Sequence, residues 1–515
     1  MIRSFLTVSS GTLASRLLGF LRDSMIAGLI GTGAVADAFL LAFQFVTVIR
    51  RLLTEGALNA ALVPVWLRLR ETDGAVAAAA FAGRVLGTIS IALLTATMLI
   101  GLLMPLIITA LAPGFAGHET LALAVNDARL MLPYLAFAGP STVLLALSSA
   151  QGRFVLTAFS PLLFNIALIA VMIALILARA DAGFVALALA ATTGIAGLLQ
   201  LSILVLRRHG EVTTHPLRIS FDAETRHFFA RAIPGMVASA APQLLMIAGA
   251  IIASSSPSAV SRLYFANRLI ELPLGIVGVA IGTVLIPELT RAVRGGDNDA
   301  IWRSESRALE LTVGLALPAM LGLIVLSTPI VRLLFEHGAF TSADTEATSR
   351  ALIFLALGLP AQVLVKAMSS AFFAREDTLA PLFATLKAFA VAVVAAVLLG
   401  HFFGLSGIAA ALALGAWSNA LSLIRRGGAT VGVSLDASAR RRLPRILLAS
   451  LVMGAVLWLA TDFATPLANG LAHAAALLAS IAGAIAIYAL LLAALGVTGW
   501  RETVAAIRQR GNQHA

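Results

Sequence analysis

The pattern of hydrophobic and polar residues divides the chain into long apolar stretches joined by short polar connections. A helix that crosses a bilayer needs about 20 mostly apolar residues. By that measure the sequence predicts an all-α polytopic membrane protein with fourteen transmembrane helices. They are predicted near residues 8–30, 35–65, 80–111, 122–147, 159–178, 184–206, 228–253, 259–287, 307–334, 349–372, 380–400, 407–424, 444–461 and 472–496.

Short sequence similarities recur between the two halves of the chain. Offsets of 221, 223 and 225 residues separate three pairs of matching positions: Ser148 and Ser369, Pro64 and Pro287, Phe115 and Phe340. Six predicted spans lie between the copies, so both copies have the same orientation in the membrane. We therefore predict two six-helix lobes in a parallel pseudo-twofold repeat, followed by a C-terminal helix pair. The predicted divisions are an N-lobe at 1–206, a cytoplasmic linker at 207–227, a C-lobe at 228–426 and the helix pair with a cytoplasmic tail at 427–515.

Composition agrees with a membrane protein. Hydrophobic residues make up 60% of the chain and charged residues 12%, whereas soluble domains are about 25% charged. The net charge of +11 indicates basic cytoplasmic loops rather than a nucleic-acid partner. The absence of cysteine from the sequence excludes disulfides and thiolate metal sites. Arg16 interrupts the first apolar run, so we expect the N-terminal segment to be retained rather than cleaved as a signal peptide.

Arginine is distributed unevenly between alternate connections. One set of connections, which includes both termini, holds the clusters within 207–218 and 425–442, while the opposite set has little beyond Arg179. Cytoplasmic loops carry the excess of basic residues in membrane proteins. Both termini are therefore predicted to be cytoplasmic.

Several charged residues fall inside the predicted spans, where each costs ~2.5–3.5 kcal/mol or more. Guanidinium groups stay charged and present forked donors that suit phosphate, so arginines from both lobes predict a receiver for a diphosphate or another polyanion. Gly19 lies between Arg16 and Arg22, whose side chains would be about 120° apart on a straight helix. Glycine permits a bend, so Gly19 is the predicted hinge that would let both side chains face one site. The candidate substrate-binding residues are Arg16, Arg22, Arg50, Arg51 and Arg268.

Acidic residues near these arginines are candidate charge partners, and they also support interpretations without a ligand. One of Arg50 and Arg51 could extend to the membrane surface. Arg22 and Asp23 could anchor their helix at the membrane interface. Arg268 could form a salt bridge with Glu271 on the same helix that serves only packing. The four acidic candidates are Asp23, Asp37, Glu55 and Glu271.

Several of these segments resemble the MurJ/MviN family of lipid II flippases, and the similarity extends over essentially the whole chain. The matching segments are SRLLGFLRD (Ser15–Asp23), ADAFLLAF (Ala36–Phe43), RRLLTEGALNAALVPV (Arg50–Val65), ANRLIELPLGIVGVAIGTVLIPEL (Ala266–Leu289) and LFEHGAF (Leu334–Phe340). The resemblance implies the fold of the multidrug/oligosaccharidyl-lipid/polysaccharide exporters. It also implies transfer of lipid II between the leaflets of a bacterial inner membrane.

The resemblance further implies roles for individual residues. The family's cavity arginines correspond to Arg16, Arg22, Arg50 or Arg51, and Arg268. Asp37 and Glu271 correspond to their acidic partners, and the last two spans would form a groove for the polyprenyl tail. The expected partners are lipid II and membrane lipids, and the protein is expected to work as a monomer. We expect no cofactor, no metal and no enzymatic activity.

Three alternatives remain at this point. A related exporter could carry another polyprenyl-diphosphate-linked glycan or drugs. A membrane-embedded enzyme acting on the same lipid would need convergent acid–base groups or a metal site, and the polar residues of the periplasmic loops lack such a spacing. A structural membrane scaffold would give no reason for arginines inside the spans.

Overall fold

The computed structural model consists of helices and their connections. It describes residues 2–54, 57–151, 154–206, 241–280, 298–374, 379–430, 437–464 and 471–497, together with 219, 222, 225–226, 228–230 and 377. Within these ranges the structure contains no β-strand. This confirms the predicted all-α class.

In the described residues up to 206 the chain forms eight α-helices, and Pro113–Phe115 adds a single 3-10 turn. Only Leu132 separates α5 from α6, which begins at Pro133, and the two helices together form one apolar span, Glu119–Ala150. The bounds are α1 Ile2–Ile30, α2 Ala34–Thr54, α3 Ala57–Thr72, α4 Gly74–Leu111, α5 Glu119–Met131, α6 Pro133–Ala150, α7 Phe154–Leu177 and α8 Ala182–Leu206.

The second half adds nine helices in the described ranges. The longest of them is interrupted at Gly404, whose φ of 55° and ψ of −135° are not helical. The predicted spans 380–400 and 407–424 lie on either side of this break. The bounds are α9 Ala241–Ala253, α10 Ala259–Ala280, α11 Asn298–Val325, α12 Ser327–Phe335, α13 Ser342–Ala356, α14 Leu359–Ala374, α15 Leu379–Thr430, α16 Ala437–Ala464 and α17 Leu471–Ala494.

Seven helices of the described chain are long and apolar enough to cross a membrane, and nine are if each of two bent pairs is one span. The bends are 73° between α11 and α12 and 44° between α13 and α14. The helices α1, α2 and α10, which carry the candidate arginines, are not among the seven. All three carry charged residues within apolar sequence, and this is the property that made them notable.

The chain forms two compact units. The first contains Met1–Tyr264 and the separate segment Phe335–Asp344. Inside it α1 packs along α7, α2 along α5, and α6 along α8. At the last of these contacts, a Cβ added to Gly197 would lie 2.9 Å from the Cα of Tyr134, so only glycine allows the helices this approach.

The second unit contains Phe265–Leu334 and Thr345–Ala515. The helix α16 packs along α11, and α17 packs along α16. The Tyr488 hydroxyl of α17 donates a hydrogen bond of 2.7 Å to the carbonyl of Gly314 in α11. The C-terminal helix pair is therefore attached to this unit.

Candidate functional site: a buried arginine cluster

Arg22 lies in the third quarter of α1 and is almost fully buried, with 7% of its surface exposed. Its Nε and Nη2 atoms donate to Asp23 Oδ1 over 2.9 and 2.6 Å. Its Nη1 atom donates to Asn165 Oδ1 of α7 over 2.9 Å. A buried charge is tolerated when it is paired and hydrogen-bonded, and both conditions hold here.

Aromatic rings enclose the Arg22 guanidinium. Its Cζ atom lies 4.9 Å from the ring centroid of Phe43 and 5.8 Å from that of Phe164. The Tyr264 hydroxyl donates a long hydrogen bond of 3.4 Å to Asp23 Oδ1. The rings keep water away from the Arg22 guanidinium and leave it in a weakly polar environment. Cation–π attraction is stronger in such an environment than in water.

A second polar chain begins at Arg50, near the end of α2. Arg50 interacts electrostatically with the Tyr134 hydroxyl. That hydroxyl lies 3.4 Å from Gln200 Oε1, and Gln200 Nε2 donates to Ser160 Oγ over 2.6 Å. The Tyr134 ring also stands edge-on to Phe164, with centroids 5.3 Å apart. Phe164 therefore contacts both arginine environments.

Arg16 and Gly19 precede this cluster on the same helix. The helix α1 continues without interruption through Gly19, which is buried. Arg16 is exposed whereas Arg22 is buried, as expected for side chains about 120° apart on a continuous helix. The hinge role of Gly19 stays a prediction.

Arg268 and Glu271 belong to the second unit and form a pair within α10. Arg268 Nη1 donates to Glu271 Oε2 over 2.7 Å, and the two side chains are 18% and 27% exposed. The i,i+3 spacing anticipated in the sequence therefore produces a salt bridge. The part of each side chain that stays exposed leaves this pair more accessible than the Arg22 pair.

The remaining candidates have mixed outcomes. Asp37, in the first turn of α2, accepts a hydrogen bond of 2.8 Å from the backbone amide of Ser261. Arg51 is half-buried, beside Arg50 at the end of α2. Glu55 lies outside the described residues. No group of three or more potential metal ligands occurs in the part of the chain that the structure describes.

Sequence reasoning missed two residues that the structure makes prominent. Asn165 completes the hydrogen bonding of Arg22 and also donates to the carbonyl of Ser15 over 3.2 Å. A single amide in the apolar run LLFNIALIA was the available signal. Arg262, inside a predicted span and six residues before Arg268, pairs with Asp344 and was passed over.

The helical fold with several long apolar helices is that of a polytopic membrane protein. A solved inward-facing structure of a MATE family multidrug resistance transporter of the MOP superfamily aligns with 84% of this chain and 95% of that one. Its TM-score is 0.67 at 17% identity, so it supports the fold alone.

More specific matches then identify the family. The family model "Lipid II flippase MurJ" matches residues 26–475. A probable lipid II flippase MurJ of Rhizobium meliloti is 37% identical over 95% of this chain and 92% of its own length. A structure of lipid II flippase MurJ in an inward closed conformation has a TM-score of 0.78 at 24% identity, covering 97% of this chain and all of that one. The chain belongs to the lipid II flippase MurJ family, a family of transporters rather than enzymes.

Proposed function

We propose that this protein moves lipid II, the undecaprenyl-diphosphate-linked peptidoglycan precursor, from the cytoplasmic to the periplasmic leaflet of a bacterial inner membrane. Family membership supports the substrate. The observation that carries the proposal is the Arg22 cluster, a guanidinium held among aromatic rings inside a helical membrane protein. An arginine inside a membrane-spanning segment is a functional-site candidate even when it is paired, and its forked donors suit a diphosphate.

The donors of Arg22 suggest how an anion would bind. Arginine has five N–H donors, and Asp23 and Asn165 take three of those on Arg22. Among the described residues the other two have no hydrogen-bond acceptor. A diphosphate oxygen would take these donors or replace the Asp23 carboxylate. In this proposal Arg16, Arg50, Arg51 and Arg268 contribute further guanidinium groups during the transport cycle.

The proposal also includes the transmembrane arrangement. We propose fourteen spans in two six-helix lobes plus the C-terminal pair, with both termini in the cytoplasm and a monomer as the working form. The lipid tail would stay in the bilayer beside α16 and α17. Large apolar side chains exposed on these helices support that path, among them Trp458, Leu459, Leu478, Ile485 and Leu490.

Transport would follow alternating access, in which the two lobes expose the headgroup first to the cytoplasm and then to the periplasm. A potential negative inside favours outward movement of negative charge by ~2.3 kcal/mol per charge per 100 mV. The potential would therefore assist the export of a diphosphate that remains charged on the arginines.

Complementation tests the proposal. Arg22→Ala and Arg268→Ala should fail to support growth when the host's own flippase is depleted, while the outer-leaflet fraction of lipid II falls. Arg350→Ala, which removes an exposed i,i+4 pair with Glu346, is the control and should grow normally. Normal growth of both the Arg22→Ala and the Arg268→Ala variant at parental membrane levels would refute the arginine-based mechanism. Loss of a surface polymer with intact peptidoglycan would instead identify another lipid-linked glycan as the substrate.

A further inference from the structure

Three of the buried aspartates accept hydrogen bonds that stabilise a negative charge, and the fourth does not. Arg22 donates to Asp23, and the Ser261 amide donates to Asp37. Asp344 accepts from Thr32 Oγ1 over 2.5 Å and from Arg262 Nη2 over 2.8 Å. The fourth has no such partner within the described chain. The aspartates that are buried among the described residues are Asp23, Asp37, Asp127 and Asp344.

Asp127, the fourth, lies in α5 with 4% of its surface exposed. The buried residues Ala124 and Met131, about one helical turn away on either side, make the same face of α5 apolar. The Asp127 carboxyl has no hydrogen bond, ion pair or other electrostatic interaction among the described residues. An ionised carboxyl buried in this way is too costly to persist, so the group binds a proton and becomes neutral.

The elements packed against α5 provide no charged partner for Asp127 within the described chain. These elements are α2, α4, α6, α8 and the 3-10 turn, and neither α8 nor the turn contains a titratable residue. Arg129 of α5 is exposed and donates instead to the Gly101 carbonyl of α4, over 3.1 Å. None of the titratable groups on these elements interacts with the Asp127 carboxyl. They are Asp37, Arg50, Arg51, Arg84 and Tyr134, with Glu119 and Arg129 on α5 itself.

Asp127 is close to one end of its span and close to a break in the helix. Eight residues, or about 12 Å, separate it from Glu119, and 23 residues, or about 35 Å, separate it from Ala150. Four residues after Asp127 the helix α5 ends, and α6 begins at Pro133, which has no N–H for the helical hydrogen bonds. The break lets α5 shift relative to α6, and such a shift opens a path for water from the nearer end.

We propose that Asp127 is a proton-binding site that couples the movement of α5 to pH. In the packing described here the carboxyl holds a proton and is neutral. When α5 shifts and water reaches the group, the O–H bond breaks and the proton passes to water, which leaves a hydrated carboxylate. Low pH therefore favours the packing described here.

A proton suits this site better than a metal ion. Hard cations take several oxygen ligands, and in the described chain Asp127 belongs to no group of three or more potential metal ligands. One carboxyl oxygen is enough to bind a proton. The effect of the site on transport rests on the proposed function, whereas protonation of Asp127 does not depend on it.

Infrared spectra of the purified protein test the protonation directly. At neutral pH the parent should show the carbonyl stretch of a neutral carboxylic acid, and this band should be lost in both Asp127→Asn and Asp127→Leu. Asp73→Asn is the control, because Asp73 is exposed at the start of α4 and its side chain makes no capping hydrogen bond. The control should keep the whole band.

The rate of lipid II transfer in reconstituted vesicles tests the coupling. The membrane potential is held at zero with valinomycin and equal potassium, and the pH is varied equally on both sides. The parental rate should fall as the pH rises, by up to about tenfold per pH unit, because one proton is bound. Asp127→Asn is neutral at every pH, so its rate should stay constant over the same range. Asp73→Asn should follow the parent.

The two measurements have separate outcomes. Absence of the band from the parent, or an unchanged band in both Asp127 variants, would overturn the proton site. A pH profile of Asp127→Asn that follows the parental profile would overturn the coupling to transport. Failure of the parent to transfer lipid II at any pH would reject the proposed function instead, and the infrared spectra would still decide whether Asp127 binds a proton.

Discussion

Arg22 and Arg268 are both arginines with a carboxylate close in sequence, yet the two sites are built differently. Asp23, Asn165 and two aromatic rings surround Arg22, whose pair is 8% and 0% exposed. Arg268 bonds to Glu271 one helical turn away, and that pair is 18% and 27% exposed. The comparison shows that neighbouring opposite charges do not by themselves determine how far a pair is removed from water.

The difference has an energetic consequence. Breaking a buried pair leaves an uncompensated charge and typically costs about 3–5 kcal/mol, whereas pairs that water reaches contribute about 0–1 kcal/mol. Arg22 should therefore matter to both folding and transport. Arg268 should matter mainly to transport.

Arg22→Ala should have the largest effect. It leaves the Asp23 carboxylate buried in α1, so we expect a loss of about 3–5 kcal/mol from the free energy of unfolding. Thermal unfolding in detergent measures this loss. Arg22→Ala combined with Asp23→Ala should recover part of it, and a melting temperature equal to the parent's in the single variant would contradict the comparison.

Asn165→Leu should come next, with a loss of about 1–3 kcal/mol, because the Arg22 donor and the Ser15 carbonyl both lose their partner. Asn419→Leu is the matched control, since Asn419 is also buried but bonds to Thr385 in the second unit. Both variants should lose stability. Only Asn165→Leu should also reduce lipid II transport per folded molecule, and equal transport defects would argue against positioning of Arg22.

Asp127→Leu should change stability in the opposite direction. Asp127 of α5 is 4% exposed, and its carboxyl has no hydrogen bond or ion pair within the described chain. Removing an unpaired buried polar group should raise the free energy of unfolding by about 1–2 kcal/mol. Asp127→Asn, which keeps a polar group there, should gain less. A clear loss of stability in the leucine variant would reveal a partner for this carboxyl.

Arg268→Ala should have the smallest effect on stability, within about 1 kcal/mol of the parent. Complementation should nevertheless fail if Arg268 contacts the headgroup. Glu271→Gln, which keeps the arginine, should retain more growth than Arg268→Ala. A large destabilisation by Arg268→Ala would show that both arginine pairs contribute similarly to the free energy of unfolding, which would contradict the comparison.

Much of the fold followed from local features of the sequence. Apolar length predicted the helices now seen at Ala182–Leu206 and Leu471–Ala494, and the predicted break between 400 and 407 coincides with Gly404. Family motifs identified the transporter class that the comparisons then confirmed. The count of fourteen spans stays a prediction, because seven to nine apolar spans occur among the described residues.

The sequence alone determined that this is a helical membrane protein with guanidinium groups in its spans, because hydropathy and charge are sums over neighbouring residues. Only the tertiary structure decided which atoms those groups contact. Asn165 is 143 positions from Arg22, and Asp344 is 312 positions from Thr32. No local pattern encodes such partners, since they meet only when packed helices bring distant polar atoms together. Once buried away from water, these polar atoms must form hydrogen bonds with each other.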